Sequence, residues 1–172
     1  MDWVATTFPD KPISHVIISH HHADHSGGVR SYVAAGAVAV MHESAAPFFS
    51  KIFQADSTIV SDSLAENPVA AAIETMPADG SLTLDDETNP VTIYPFATAH
   101  AEDMVLTYVE SAGVLFVVDI YSPNPAAANA GTGGKLLNDT ITELGLEVTA
   151  IAGGHGATIA FEDFERLVEL VE

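Results

Sequence analysis

Short apolar runs alternate with amphipathic stretches along this chain, the layering of an α/β protein. Residues 13–19 (Ile-Ser-His-Val-Ile-Ile-Ser) are β-branched and nearly continuous, which predicts a buried strand. Ser26-Gly27-Gly28 leads into a helix predicted over 29–35 and closed by Gly36. A second strand is predicted over 37–41, then a helix over 43–54 with Phe48, Phe49, Ile52 and Phe53 as its apolar face. Residues 56–76 carry no sustained period and are expected to be irregular. Strands follow over 81–84, 91–96, 104–109 and 114–118, the last two joined by a hairpin turn at Glu110-Ser111-Ala112-Gly113. The stretch 122–134, rich in Pro, Asn, Ala and Gly, reads as a loop. A helix over 135–144, a strand over 148–152 and an amphipathic helix over 161–171 close the chain. With no repeat, the 172 residues read as one domain, 1–172.

Composition narrows this picture. Hydrophobic residues make up 48% of the chain, enough for a real core, and no apolar stretch reaches the ~20 residues of a membrane span. Acidic residues outnumber basic ones 24 to 5, for a net charge of -19. Lys11, Arg30, Lys51, Lys135 and Arg166 are the only cations. Nucleic acid needs clustered Lys and Arg, so it is excluded as a partner, and polyanionic substrates are disfavoured. The start Met1-Asp2-Trp3-Val4 has neither basic residues nor an apolar core of a secretory signal, which leaves the compartment open. There is no Cys, so a metal site has to be built from His, Asp or Glu.

Those residue types are concentrated at the ends of predicted strands. His20, His22, Asp24 and His25 fit the pattern H-x-H-x-D-H directly after the first strand. An extended segment projects residues i and i+2 to one side, so His20 and His22 can reach one ion. Asp24 and His25 follow where the chain bends into a helix and can turn toward a second. His21 points the other way and reads as a solvent or packing histidine. His100, Asp119 and His155 lie further on, each after an apolar run. An acid at the end of Val114-Leu115-Phe116-Val117-Val118 is costly to bury without a cation or hydrogen bonds. Seven such groups are too many for one tetrahedral ion and enough for two ions sharing one carboxylate.

On these residues the chain resembles the metallo-β-lactamase superfamily over nearly its whole length. The resemblance implies an αββα sandwich, and it assigns His20, His22 and His100 to one metal, Asp24, His25 and His155 to the second, and Asp119 to a bridge. Two divalent ions are implied, zinc first, with iron or manganese as alternatives. His22 stands where the flavodi-iron branch has Glu, which favours hydrolysis over oxygen or nitric-oxide reduction. Ala99-His100-Ala101 replaces the usual Gly-His-Thr, and the stretches 100–104 and 117–123 resemble an uncharacterised hydrolase-like branch. In this superfamily several strands precede the first motif, whereas only Met1 to Pro12 precede it here. The chain therefore resembles a shortened member or fragment lacking part of the first sheet. A sheet edge left open in this way is expected to be covered by a second copy or another chain.

The implied activity is metal-dependent hydrolysis. Two ions a few ångströms apart activate a bridging water against a small ester, lactone, thioester, amide or sulfate ester. Asp24 is expected to orient the nucleophile and shuttle its proton. Tyr121 is a candidate substrate contact. Asn124, Asn129 and His42 are weaker candidates for the pocket, and Asp103 for hydrogen bonding a ligand histidine. His15 reads as a core or interface histidine, and residues 130–135 as a flexible loop without phosphate-loop spacing. The alternative to an enzyme is a metal-binding remnant that serves as an interaction or assembly domain.

Overall fold

Residues 1–56, 59–85 and 87–171 are described by a computed structural model. The chain divides into two compact units, Met1–Gly80 with Pro95–Val105, and Ser81–Tyr94 with Leu106–Glu172.

The first unit contains α1 (Asp2–Thr7), β1 (His15–Ile17), α2 (Ala23–Ser26), α3 (Val29–Ala34), β2 (Val38–His42), a 3-10 turn at Glu43–Ala45, α4 (Ala46–Gln54), α5 (Ser63–Glu66) and β3 (Ile73–Met76). Its sheet runs β1-β2-β3 and is parallel throughout, with His15 opposite Val38 and Ala39 opposite Ile73. Ile18, Val29, Val33, Met41, Phe49 and Phe53 pack into one core. Each such side chain contributes roughly 1.5–3 kcal/mol by leaving water. Strand β3 falls in the stretch expected to be irregular. Four residues are too few to show a period, and their order comes from β2, to which they hydrogen-bond. The strand expected over 13–19 shortens to His15–Ile17 and is only half-buried. Among the described residues it pairs with β2 alone, so it is an edge strand. His15 is accordingly exposed, with Nδ1 2.9 Å from the Ser14 hydroxyl, rather than a core residue.

Helix α4 corrects its expected face. Phe49 and Phe53, one turn apart, are buried with ring centroids 6.1 Å apart, whereas Phe48 is 45% exposed. One residue rotates the helix by about 100°, which carries Phe48 from the core to the rim. Arg30 ties these helices together. Its guanidinium donates to both Asp62 oxygens and to the Ile52 carbonyl, while Asp62 also accepts from Ala65 N at the start of α5. The hydrogen bonds to Asp62 hold the Arg30 pKa above its usual value.

The second unit is built on a six-stranded sheet. It comprises β4 (Leu82–Leu84), β5 (Val91–Pro95), β6 (Val105–Val109), β7 (Val114–Val117), α6 (Gly131–Leu144), β8 (Ala150–Gly153), β9 (Thr158–Ala160) and α7 (Phe161–Glu169). The strand order follows the chain; β6 and β7 are antiparallel, β7 and β8 parallel, and β8 and β9 antiparallel. The expected hairpin turn is a 3-10 turn closed by Gly113 at φ 60°. Strand β9 was not expected, being three residues whose only support is its pairing with β8. Leu137 and Ile141 of α6 and Phe164 and Leu167 of α7 are buried.

Helix α6 begins at Gly131, four residues before the predicted start, inside the stretch read as a loop. Glycine is a poor helix former, and the signal was lost for that reason. The small residues serve packing instead. A Cβ on Gly133 would stand 1.8 Å from the Ile120 carbonyl oxygen, so only glycine lets the helix lie against the backbone that follows Asp119. Replacing Gly133 by Ala is expected to destabilise the protein by about 3 kcal/mol, the upper end of overpacking costs. Gly28→Ala, where the new carbon meets nothing within 4 Å, should change stability by less than about 0.5 kcal/mol. Urea denaturation of the two variants checks the contrast.

Candidate metal centre

Strand β1 ends at Ile17, and the chain then passes through Ser19 and His20, bends at His21 and reaches His22 before α2 begins. His22 is extended at φ -61° and ψ 144°. His20 is 1% exposed. The ring centroids of His20 and His22 are 4.5 Å apart, as the i, i+2 argument requires. His100 enters from the segment between β5 and β6. Its ring centroid lies 4.6 Å from that of His22 and 5.2 Å from that of His20. One ring nitrogen of each of the three lies within 4.8 Å of the others. Three imidazole nitrogens converging at strand ends form a donor set suited to zinc and similar divalent ions. Asp24 and His25 sit on α2, one turn further along, with Asp24 Oδ2 3.3 Å from His25 Nε2. The Asp24 carboxylate is 67% exposed.

The second unit holds the remaining two expected ligands side by side. Strands β7 and β8 are parallel with Val117 opposite Gly153. Asp119 and His155 each lie two residues beyond that pair, at the carboxyl ends of neighbouring strands, where α/β sheets place their ligands. Asp119 Oδ1 is 3.0 Å from His155 Nε2. The Asp119 backbone is left-handed, with φ 57°. A non-glycine residue there is uncommon, and Asp is among the more tolerant. The turn is tight, with Ile120 N donating to the Val118 carbonyl at 2.6 Å. Gly156, at φ 89°, lets the chain after His155 pass against Pro123, where a Cβ would meet the Pro123 carbonyl oxygen at 2.5 Å.

Two expectations about neighbouring residues are corrected. His21 is not a simple solvent histidine. Its Nδ1 donates to Asp103 Oδ1 at 2.7 Å across 82 residues of sequence. Asp103 therefore binds the histidine between the ligands rather than a ligand itself, and it is 6% exposed. This bond ties the His20–His22 segment to the segment that carries His100. A second tie is Val105 N donating to the Ser19 carbonyl at 2.9 Å. Thr98 fixes the His100 end, its hydroxyl accepting from His100 N and donating to Met104 Sδ. The signal for the His21–Asp103 pair was an acid flanked by apolar residues at 104–106. A contact across 82 residues cannot be read from spacing.

The other candidates act locally. Tyr121 is 5% exposed, its ring centroid 5.0 Å from that of Phe164, and burial raises its pKa. Asn124 Oδ1 accepts from Ala126 N, and Asn129 Oδ1 from Gly131 N, so each closes its own turn. His42 is buried and caps the 3-10 turn, accepting from Ser44 N through Nδ1 at 3.2 Å. Removing the Asp103 carboxylate with Asp103→Ala is expected to weaken metal uptake by about tenfold, in the range of lost supporting bonds around metal ligands. Asp103→Asn should retain most of it, and competition against a chromogenic chelator measures both.

Comparison with known proteins follows the same lines. The profile of the metallo-beta-lactamase superfamily matches residues 4–158. No curated protein matches the chain. Among solved structures, the flavodiiron core of Flv1 from Synechocystis is 14% identical with a TM-score of 0.64, over 96% of this chain and 45% of that one. A metallo-beta-lactamase from Pontibacter korlensis is 16% identical with a TM-score of 0.65, over 98% and 73%. Rubredoxin oxygen:oxidoreductase from Desulfovibrio gigas is 16% identical with a TM-score of 0.68, over 96% and 46%. The chain thus spans less than half the length of the two oxidoreductases. The mixed α/β architecture with two sheets, the His and Asp groups at strand ends and the superfamily profile agree: the chain belongs to the metallo-beta-lactamase superfamily.

Proposed function

We propose that the protein is a metal-dependent hydrolase of small neutral ester-like or amide-like substrates, with a dinuclear centre. The observation that carries the reading is the convergence of His20, His22 and His100 within 4.8 Å in the first unit. Asp24 with His25, and Asp119 with His155, supply further donors of the same chemistry. On this reading His20, His22 and His100 would hold one ion and Asp24, His25 and His155 the other, with Asp119 as the ligand they would share. Bound divalent ions, zinc in the first place, supply an acidified water and a Lewis acid for the substrate oxygen. Asp24 does the proton work, because its carboxylate is the most open of the set and can accept a proton from the attacking water. His21 and Asp103 hold the ligand-bearing segments in register and keep the imidazoles oriented before substrate arrives.

A second reading is favoured by the likeness to the flavodiiron core and to rubredoxin oxygen:oxidoreductase. Iron in the same residues would then serve redox chemistry with oxygen. His22 supports hydrolysis instead, since an imidazole at that position leaves the centre with one carboxylate fewer. The two readings separate on metal identity. Purified full chain is expected to carry about two zinc ions by plasma mass spectrometry and to hydrolyse a chromogenic ester or lactone. Chelator, His22→Ala or Asp119→Ala should each reduce turnover at least about a hundredfold. Iron with oxygen consumption and no ester turnover would replace hydrolysis by the redox reading.

A further inference from the structure

A cleft of about 500 Å³ opens beside His100 in the first unit. Its walls are of two kinds. Phe48, displaced from the helix core to the rim, and the methyl groups of Ala45, Ala99 and Ala101 make an apolar side. His21, Ser44, Thr98, His100, Glu102 and Asp103 make a polar side.

Several of these polar side chains offer a group to a ligand. His21 Nδ1 donates to Asp103, so Nε2 is the ring nitrogen left for a ligand. The Ser44 hydroxyl lies 2.7 Å from His42 Nδ1, and that nitrogen already accepts from Ser44 N. Ser44 must therefore be the donor in this contact, and its oxygen keeps its lone pairs. Glu102 is an exposed carboxylate. Asp103, 94% buried, has one oxygen on His21 and a second, Oδ2, with no hydrogen-bond partner among the described residues. Among the described residues, no Lys, Arg, Asn, Gln or Trp lines the cleft. Of the five cations in the chain, Arg30 is held by Asp62, Lys135 by Asp139 and Arg166 by Asp163.

We propose that this cleft receives the non-reacting part of the substrate and selects an ammonium or similar hydrogen-bond donor carried on a small apolar body. Phe48 takes the apolar body, and an aromatic face also attracts a cation. His21 and Glu102 accept from the donor. An anionic group finds no Lys or Arg there and meets two carboxylates, Glu102 and Asp103. The inference rests on the hydrolase reading only in calling the ligand a substrate.

Binding tests it without turnover. Benzylammonium and benzenesulfonate are titrated into the zinc-loaded full chain at moderate salt, with the ring resonances of Phe48 and His21 followed by NMR. Benzylammonium should shift both rings and bind at least tenfold tighter than benzenesulfonate. Because the whole chain is acidic, charge alone must be separated from the site. Glu102→Lys, on an exposed position, should cut the preference at least tenfold. Glu162→Lys, on α7 in the second unit, changes net charge equally and should leave it within about twofold. His21→Phe, which also leaves Asp103 without its partner and lowers the melting temperature, should weaken benzylammonium at least fivefold at a temperature where circular dichroism shows the variant folded. Equal affinity for the two probes, shifts that bypass Phe48 and His21, or equal effects of the two Lys variants would overturn the proposal. Loss of ester turnover alone would count against the hydrolase reading and leave this result intact.

Discussion

A hydrogen bond of 2.7 Å between His21 and Asp103 joins two segments that the sequence keeps 82 residues apart. Everything assigned to the first unit's metal donors depends on that union. Imidazoles do not gather spontaneously, since each loses hydration on approach and none attracts another strongly. His20, at 1% exposure, is held among other rings by the backbone that carries it. The His21–Asp103 bond and the pairing of Val105 N with Ser19 O supply the holding. Charge on the acceptor strengthens the first of these. The donor cluster is thus preorganised by its neighbours, which is the economical way to lower the cost of metal capture.

The second unit reaches a similar end by different means. Two parallel strands stop level with one another, and a residue two positions beyond each presents its polar group. Asp119 and His155 also meet each other directly, at 3.0 Å. Backbone geometry does the positioning through a left-handed Asp119 and glycines at 133 and 156, where the chain passes too close for a Cβ. One half of the ligand set is therefore oriented by a side-chain clasp and the other by main-chain shape.

What could be read beforehand follows from this division. The ligand residues were legible because metal chemistry restricts both residue type and local spacing, and H-x-H-x-D-H satisfies both at once. Long, periodic elements such as α4 and α7 were legible because their own side chains make the pattern. Strands β3 and β9 were not, being four and three residues whose order comes from a partner strand. The start of α6 was hidden because its glycines answer to Ile120, a tertiary neighbour, rather than to helix propensity. Phe48 was placed in the core by the breadth of the predicted apolar face, and one residue of rotation moved it to the rim of the cleft. His21 was set aside because it faces away from its flanking ligands, yet that orientation is what lets it reach Asp103.

The left-handed backbone at Asp119 has a genetic consequence. The residue that best tolerates such a conformation, after glycine, is asparagine. Asparagine is a single-base change from aspartate in the genetic code. That change keeps the turn's shape and removes the negative charge at the position. Drift away from metal function thus has an open door at this one codon, through a residue that the left-handed turn accepts.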